Sequence, residues 1–312
     1  MAHANADLLP DRAAESRVRL AALVARFAEG DGPNETAIGP LRLVRYAHPT
    51  GPIHVQQDAA LWIVAQGRKA LTLADETFAH GPDEGLLVSF DLPVVTCVVE
   101  ASPQAPFFGV ALALNPAEMA ATLAGRASRE AGGGPGLDRA VSVQPVTGDL
   151  LDAVGRLVGL LDRREDVRAL APLVLEEVRY RLLVGPHGAL ARQLARADPR
   201  AEAVARAIAW LREHHAERYA LAALTREVGM SASALHRHFK AATGLTPLQY
   251  HKEIRLREAR ALMLGEGLTA AAAGHRVGYA SPAQFSREYR RAFGAPPGRD
   301  VVDLRAGRGR AG

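Results

Sequence analysis

The last third of the chain writes one helix-turn-helix pattern twice, and a duplicated unit of this kind fixes an architecture before any other feature is considered. The first copy, Leu221 to Lys240, reads LAALTREVGMSASALHRHFK, and the second, Thr269 to Arg290, reads TAAAAGHRVGYASPAQFSREYR. Ser231, Leu235, Arg237, Phe239, Gly244 and Pro247 recur as Ser281, Phe285, Arg287, Tyr289, Gly294 and Pro297, each displaced by 50 positions. Val228-Gly229 recurs one place out of step as Val277-Gly278. The second helix of such a unit is one that can enter a DNA groove.

The residues inside each unit have distinct jobs. In the first, Leu221, Leu224 and Val228 share one face of the leading helix, and Gly229 suits a sharp turn with positive φ. Ser231 is placed to cap the next helix, and Leu235 and Phe239 turn inward. That leaves Ser233, His236, Arg237 and Lys240 as one outward stripe. In the second, Ser281 caps, Pro282 takes the first helical position, Phe285 and Tyr289 face inward, and Ala283, Gln284, Ser286, Arg287 and Arg290 are the outward candidates. Arg237 and Arg287 are the expected base readers or phosphate clamps, since a guanidinium can bond guanine O6 and N7 together. Lys240 and Arg290 are expected on phosphate. The competing reading of these arginines is an exposed helix cation paired with a nearby carboxylate. Thr246-Pro247 should open a relay helix to about Leu264, roughly 27 Å long at 1.5 Å per residue, enough with its turns to set two recognition helices about one DNA turn apart.

Charge follows the same division. From Arg200 onward there are 19 Lys/Arg against 10 Asp/Glu, a net of +9, whereas residues 1–199 carry a net of −5. An acidic half joined to a basic half implies that the C-terminal half meets the polyanion. In 312 residues, two domains are expected. Between Leu41 and Leu114 the short runs LRLVRY, ALWIVAQ, KALTLAD, LLVSF, VVTCVVE and FFGVALAL read as strands of a small antiparallel barrel or jelly roll, with tight hairpins at Gln66-Gly67 and Asp75-Glu76. Helical spacing precedes them from Ser16 to Glu29. It returns after the AGGGPG break at 131–136, first in Leu150, Val154, Leu157, Val158 and Leu161, then in Leu173, Val174, Val178 and Leu182 with Pro172 at the helix start.

The fold class is therefore α+β in two domains. An N-terminal antiparallel β-barrel with flanking helices is followed by an all-α domain of two helix-turn-helix units joined by a relay helix. The boundaries expected are a disordered tail over 1–15, a regulatory domain over 16–130, a linker with coupling and dimerisation helices over 131–197, the DNA-binding domain over 198–303, and a disordered basic tail over 304–312.

Other chemistry is poorly supported. Cys97 is the only cysteine, so an internal disulfide is impossible. It falls in an alternating strand, as a small hydrophobe or, in the sharper reading, a sensing thiol. His48, His54 and His80 are the barrel's metal candidates, but no H-x-H pair occurs in the barrel, and no P-loop, dinucleotide fingerprint or G-x-S-x-G element is present in the chain. No metal, no cofactor and no enzymatic activity are expected. Neither a secretory signal nor an apolar run of membrane-spanning length is visible, so a cytoplasmic protein without a membrane partner is expected.

VGMSASALHRHFK, VGYASPAQFSREYRRAFG, GLTPLQY and GAPPGRD, between about Ala201 and Arg299, resemble the AraC/XylS family of bacterial transcription regulators. ALWIVAQGRKALTL and LLVSFDLPVVTCVVEASPQAPF resemble the regulatory domain that accompanies such readers. The resemblance implies a cupin-like sensor or dimerisation barrel and a regulator of transcription that answers a small-molecule effector. The partners it implies are double-stranded operator or promoter DNA, a second copy of the chain in a homodimer, and RNA polymerase if the protein activates. The second unit departs from the pattern. Ala270 to Ala273 are plain, and Ala283 offers a methyl where a polar reader is common, so its reading is expected to lean on thymine methyls and backbone shape. A sequence-indifferent architectural DNA binder is the alternative from another class.

Overall fold

The computed structural model describes residues 9–125, 140–196 and 199–306. The AGGGPG break, the first eight residues of the expected N-terminal tail, Ala197-Asp198 and the last six residues of the basic tail lie outside the described residues.

The β-rich half consists of two facing antiparallel sheets. Its strands are β1 (Gly32–Glu35), β2 (Leu41–Tyr46), β3 (Ile53–Gln57), β4 (Ala60–Gln66), β5 (Arg68–Leu73), β6 (Glu76–His80), β7 (Glu84–Val88), β8 (Leu92–Glu100), β9 (Phe107–Ala113) and β10 (Val141–Pro145). The six-stranded sheet runs β1-β2-β9-β4-β7-β10 and the four-stranded sheet β3-β8-β5-β6. The two sheets face each other as the walls of the small antiparallel barrel or jelly roll that the alternating runs imply. Gln66-Gly67, expected as a hairpin, is instead the corner where the chain changes sheets: β4 pairs with β7 and β9, β5 with β6 and β8. Glycine is required there, at φ +82°, because a Cβ would lie 2.4 Å from the Glu100 carbonyl oxygen. The second turn is a true two-residue hairpin, one place earlier than expected: Leu73 pairs with Glu76, leaving Ala74-Asp75 at the tip with Ala74 at φ +52°.

Helices cover the outer face of the six-stranded sheet. α1 (Leu9–Phe27), α2 (Pro116–Ala124), α3 (Gly148–Gly159), α4 (Arg164–Val184) and α5 (Gly188–Ala195) form this layer. Leu20 and Val24 of α1 and Val154, Leu157 and Val158 of α3 are fully or almost fully buried in one cluster with Leu41, Leu61, Ile63 and Val110 of the sheet. α1 starts at Leu9, seven residues ahead of the Ser16 start implied by apolar spacing. Its polar first turns are held by tertiary contacts that periodicity cannot show: Ser16 donates to Asp152 of α3 at 2.9 Å and Arg12 reaches the same carboxylate at 3.2 Å.

Pro172 lies inside α4, not at its start. A proline there leaves the Arg168 carbonyl without its helical donor, a loss softened because Pro172 is on the solvent side. Leu173, expected inward, is 67% exposed and shares the outer side of α4 with Leu170, Tyr180 and Val184.

Among the described residues, seven helices make the C-terminal domain: α6 (Pro199–Glu213), α7 (Leu221–Val228), α8 (Ala232–Thr243), α9 (Pro247–Gly265), α10 (Ala270–Arg276), α11 (Pro282–Phe293) and α12 (Pro297–Arg305). α8 and α11 each have 12 residues with boundaries 50 apart, and both end on a left-handed glycine, Gly244 at φ +71° and Gly294 at φ +75°. The sequence duplication is thus a structural one. The relay helix α9 is continuous over 19 residues and begins with a complete capping box between Thr246 and Gln249. It serves both units. Tyr250 is buried with Leu224, Leu235 and Phe239 of the first, and Leu256, Ala259 and Met263 with Phe285 and Tyr289 of the second.

The two halves are docked. The Tyr250 hydroxyl donates to the Asp91 carbonyl at 2.8 Å and accepts from Gln56 of β3 at 3.1 Å. Arg212 pairs with the Asp91 carboxylate, Arg257 donates to the Val55 carbonyl, and the His54 ring meets Phe293 edge-on at 4.6 Å. One strand, β3, therefore carries much of the junction between barrel and relay helix.

Candidate nucleic-acid interface

Each recognition helix is positioned by its turn and its cap. Gly229 takes φ +68° after α7, and the Ser231 hydroxyl accepts from the Ala234 amide at 3.3 Å. Gly278 takes φ +87° after α10, and the Ser281 hydroxyl accepts from the Gln284 amide at 3.3 Å. These two serines, expected at the interface, are occupied as caps. The inward residues are where their spacing put them: Leu235, Phe239 and Tyr289 have no exposure and Phe285 has 1%.

The opposite stripes face solvent. Ser233, Arg237 and Lys240 on α8, and Ala283, Gln284, Ser286, Arg287 and Arg290 on α11, are all exposed, while His236 is half-buried. Among the described residues, no carboxylate lies within 4 Å of Arg237, Lys240, Arg287 or Arg290. The competing reading, in which these cations pair with a neighbouring acid, therefore has no partner within reach. Arg237 leans on the His238 ring at 3.3 Å. Gln284 is exposed but not free, because its amide donates to Glu288 at 3.2 Å.

Sequence reasoning missed the groups that aim α11. Glu288 is 9% exposed and gathers Lys252 of α9 at 3.0 Å, Tyr279 at 2.8 Å and Gln284. Burial raises its carboxyl pKa, but the hydrogen bonds from Lys252, Tyr279 and Gln284 outweigh that and hold it below the usual range. Asp300 of α12 accepts from Nε and Nη2 of Arg260, each at 2.8 Å, and from the Tyr289 hydroxyl at 2.7 Å. Burial first, then the carboxylate that accepts its proton, pushes Tyr289 far above an ordinary phenol. Arg255 of α9 donates to the carbonyls of His215, Ala216 and Gly278 at 2.7, 3.2 and 2.8 Å. A Cβ on Gly278 would meet both Ala216 O and Arg255 Nη2 at 2.0 Å, so this turn is closed against the relay helix and admits no side chain. The only advance signal was for Glu288, a charge on a helix whose inward residues Phe285 and Tyr289 follow from spacing; the sequence assigns no apolar face to the relay helix that carries Arg255 and Arg260.

The other candidates do not converge. His54 lies at the domain junction, His80 is buried beside Lys69, and among the described residues no group of three His, Cys, Asp or Glu side chains could hold a metal. Cys97 is partly exposed on β8. Among the described residues, no helix is long and apolar enough to cross a membrane.

Two matched, solvent-facing basic helices on one relay, docked to a β-barrel, define a barrel-linked double helix-turn-helix protein. Comparison with known proteins agrees with that class. Residues 37–190 match the family model for the AraC-type transcriptional regulator N-terminus, and residues 224–300 match that for a helix-turn-helix domain. The HTH-type transcriptional activator RhaS of Salmonella schwarzengrund is 30% identical over 165 residues, which cover 52% of this chain and 57% of that protein. The match thus spans little more than half the length of the curated relatives. A solved apo ToxT variant from Vibrio cholerae superposes with a TM-score of 0.56 at 10% identity, covering 86% of this chain and 99% of that one. An unsaturated fatty acid bound form of ToxT gives 0.52 at 11% identity, over 84% and 94%. At such identity the likeness establishes the fold alone. The chain belongs to the AraC/XylS family.

Proposed function

We propose that this chain is a sequence-specific DNA-binding regulator of transcription, controlled by a small-molecule effector through its N-terminal barrel. The observation that carries the reading is the pair of identically built recognition helices, each with an outward arginine in the same slot, held on one unbroken relay helix. Two heads so held suit successive major grooves on one face of a duplex, about 34 Å apart. Base contacts from Arg237 and Arg287 select the sequence, and Lys240 and Arg290 neutralise phosphate. Ser233, His236, Ala283, Gln284 and Ser286 fill the remaining reading positions. The protein works in the cytoplasm on double-stranded operator DNA, and touches RNA polymerase if it activates. Footprinting on DNA selected from a random library, with excess competitor, is expected to reveal two protected half-sites about one helical turn apart. Uniform protection would instead identify an architectural binder.

The effector acts by shifting populations. Barrel and relay helix share β3, so a ligand that favours one barrel geometry changes how the two heads are presented. The family membership and the barrel-relay junction support this. Homodimerisation is the companion proposal. α4 turns Leu170, Leu173, Tyr180 and Val184 outward at 40–67% exposure, an apolar stripe on a helix whose other side is already buried. Sedimentation at micromolar concentration should show a dimer that Leu173→Glu returns to monomer, and a wild-type protein that is only monomeric would remove the idea. The sensing-thiol reading of Cys97 stands or falls with Cys97→Ser.

A further inference from the structure

Lys69 is 7% exposed, deep between the two sheets of the barrel. A buried ammonium ordinarily has a carboxylate beside it. Here the Nζ sits 3.6 Å from the centroid of the Trp62 ring, and among the described residues no carboxylate lies within 4 Å of it. The face of an indole offers partial compensation only. Burial drives the Lys69 pKa down to about 7, and Cys97 opposes the shift without cancelling it. Its cross-strand partner His80, 1% exposed, is pushed to about 3, first by burial and then by this same ammonium. The barrel thus holds an amine whose positive charge, when present, has no counter-charge beside it among the described residues.

The charge borders empty space. A cavity of about 270 Å³ opens between the sheets, with Val44 and Trp62 from one sheet and Val55, Lys69 and Val98 from the other on its walls. The acid in its lining, Asp58, already faces Arg42 at 4.0 Å. The Trp62 indole nitrogen is buried with no hydrogen-bond partner, a second unused donor in the same wall.

We propose that this cavity is a binding site for a small organic anion, whose charged group pairs with Lys69 and whose apolar body lies against Trp62, Val44 and Val55. One formal charge inside, walls that are otherwise mostly apolar, and room for a molecule of roughly ten heavy atoms select a monoanion with a hydrocarbon or aromatic body over a sugar or a polyphosphate. As the effector site of the regulator, the cavity rests on the function proposed above; as an anion site, it stands without it. It is well placed for control. Val55 faces the cavity from β3, its carbonyl accepts from Arg257, and its neighbour Gln56 holds Tyr250. An occupant therefore lies one strand's thickness from the relay helix.

The test uses the full chain and two pairs of probes: phenylacetate with 2-phenylethanol, and hexanoate with 1-hexanol. Calorimetry and thermal shift are run on the wild type and on Lys69→Met, a variant that removes a buried charge and keeps the side chain's length. At least one acid is expected to bind the wild type ten-fold or more tightly than its alcohol, and Lys69→Met to erase that preference while unfolding at the same or a higher temperature. Equal binding of acid and alcohol, undiminished acid binding by Lys69→Met, or no acid binding up to 50 mM each overturns the proposal. Affinity for the selected DNA, measured on the same preparations, separates the two readings. Lost DNA binding with intact acid preference sinks the regulator and leaves the anion site; the converse sinks the anion site alone.

Discussion

Replacing Arg237 and Arg287 together by alanine is expected to abolish sequence-specific DNA binding while the protein stays folded. Each guanidinium that reads a base contributes about 1–3 kcal/mol of discrimination. The two sit on separate helices with no shared partner, so their losses should nearly add, giving roughly 2–6 kcal/mol for the double variant. Neither side chain is buried or ion-paired among the described residues, so the unfolding midpoint should hardly move. Fluorescence anisotropy at fixed salt, with the selected site and a scrambled duplex, measures the effect. Lys240→Ala and Arg290→Ala should weaken both duplexes alike and flatten the salt dependence by about one unit each. Undiminished site preference in the folded double variant would remove both arginines from the reading.

The largest loss of stability is expected from Asp300→Ala. Arg260 and Asp300 are 14% and 10% exposed, joined by two 2.8 Å hydrogen bonds, with the Tyr289 hydroxyl on the same carboxylate. Removing the acid strands a buried guanidinium and a buried phenol together. Breaking a pair of this kind costs about 3–5 kcal/mol. Urea unfolding followed by circular dichroism should show that loss, against about 1 kcal/mol for Tyr289→Phe, which deletes a single hydrogen bond. Because Arg260 belongs to the relay helix and Asp300 to α12, the damage should fall on the second unit first. A change under 1 kcal/mol for Asp300→Ala would mean that the pair does not hold α12 in place.

The helix-turn-helix units were legible from local rules. Left-handed glycines at 229, 244, 278 and 294, serine caps at 231 and 281, and inward residues four apart are properties of neighbours in sequence. The barrel was legible as strands but not as a layout. Gly67 joins two runs that look like a hairpin, and only the Glu100 carbonyl pressing on it, contributed by a distant strand, makes it a corner. That corner also hides Lys69: once the chain changes sheets, alternation no longer tells which of Arg68 and Lys69 points inward. Pro172 advertised a helix start, yet its solvent-facing position lets α4 run through it. Glu288 and Asp300 could not be singled out, since apart from Gln284, four residues from Glu288, each acts through partners 9 to 40 residues away.

α9 lends its first half to one core and its second half to the other, leaving no hinge in which to absorb a mismatch. An extra base pair between half-sites moves the far groove by about 3.4 Å and swings it roughly 35° around the duplex axis. A rigid caliper cannot follow such a screw motion. It must let go of one end or bend the DNA, at a cost of order 1–6 kcal/mol. In the mode of binding proposed above, the span between contacts is then as much a part of the recognised message as the bases themselves.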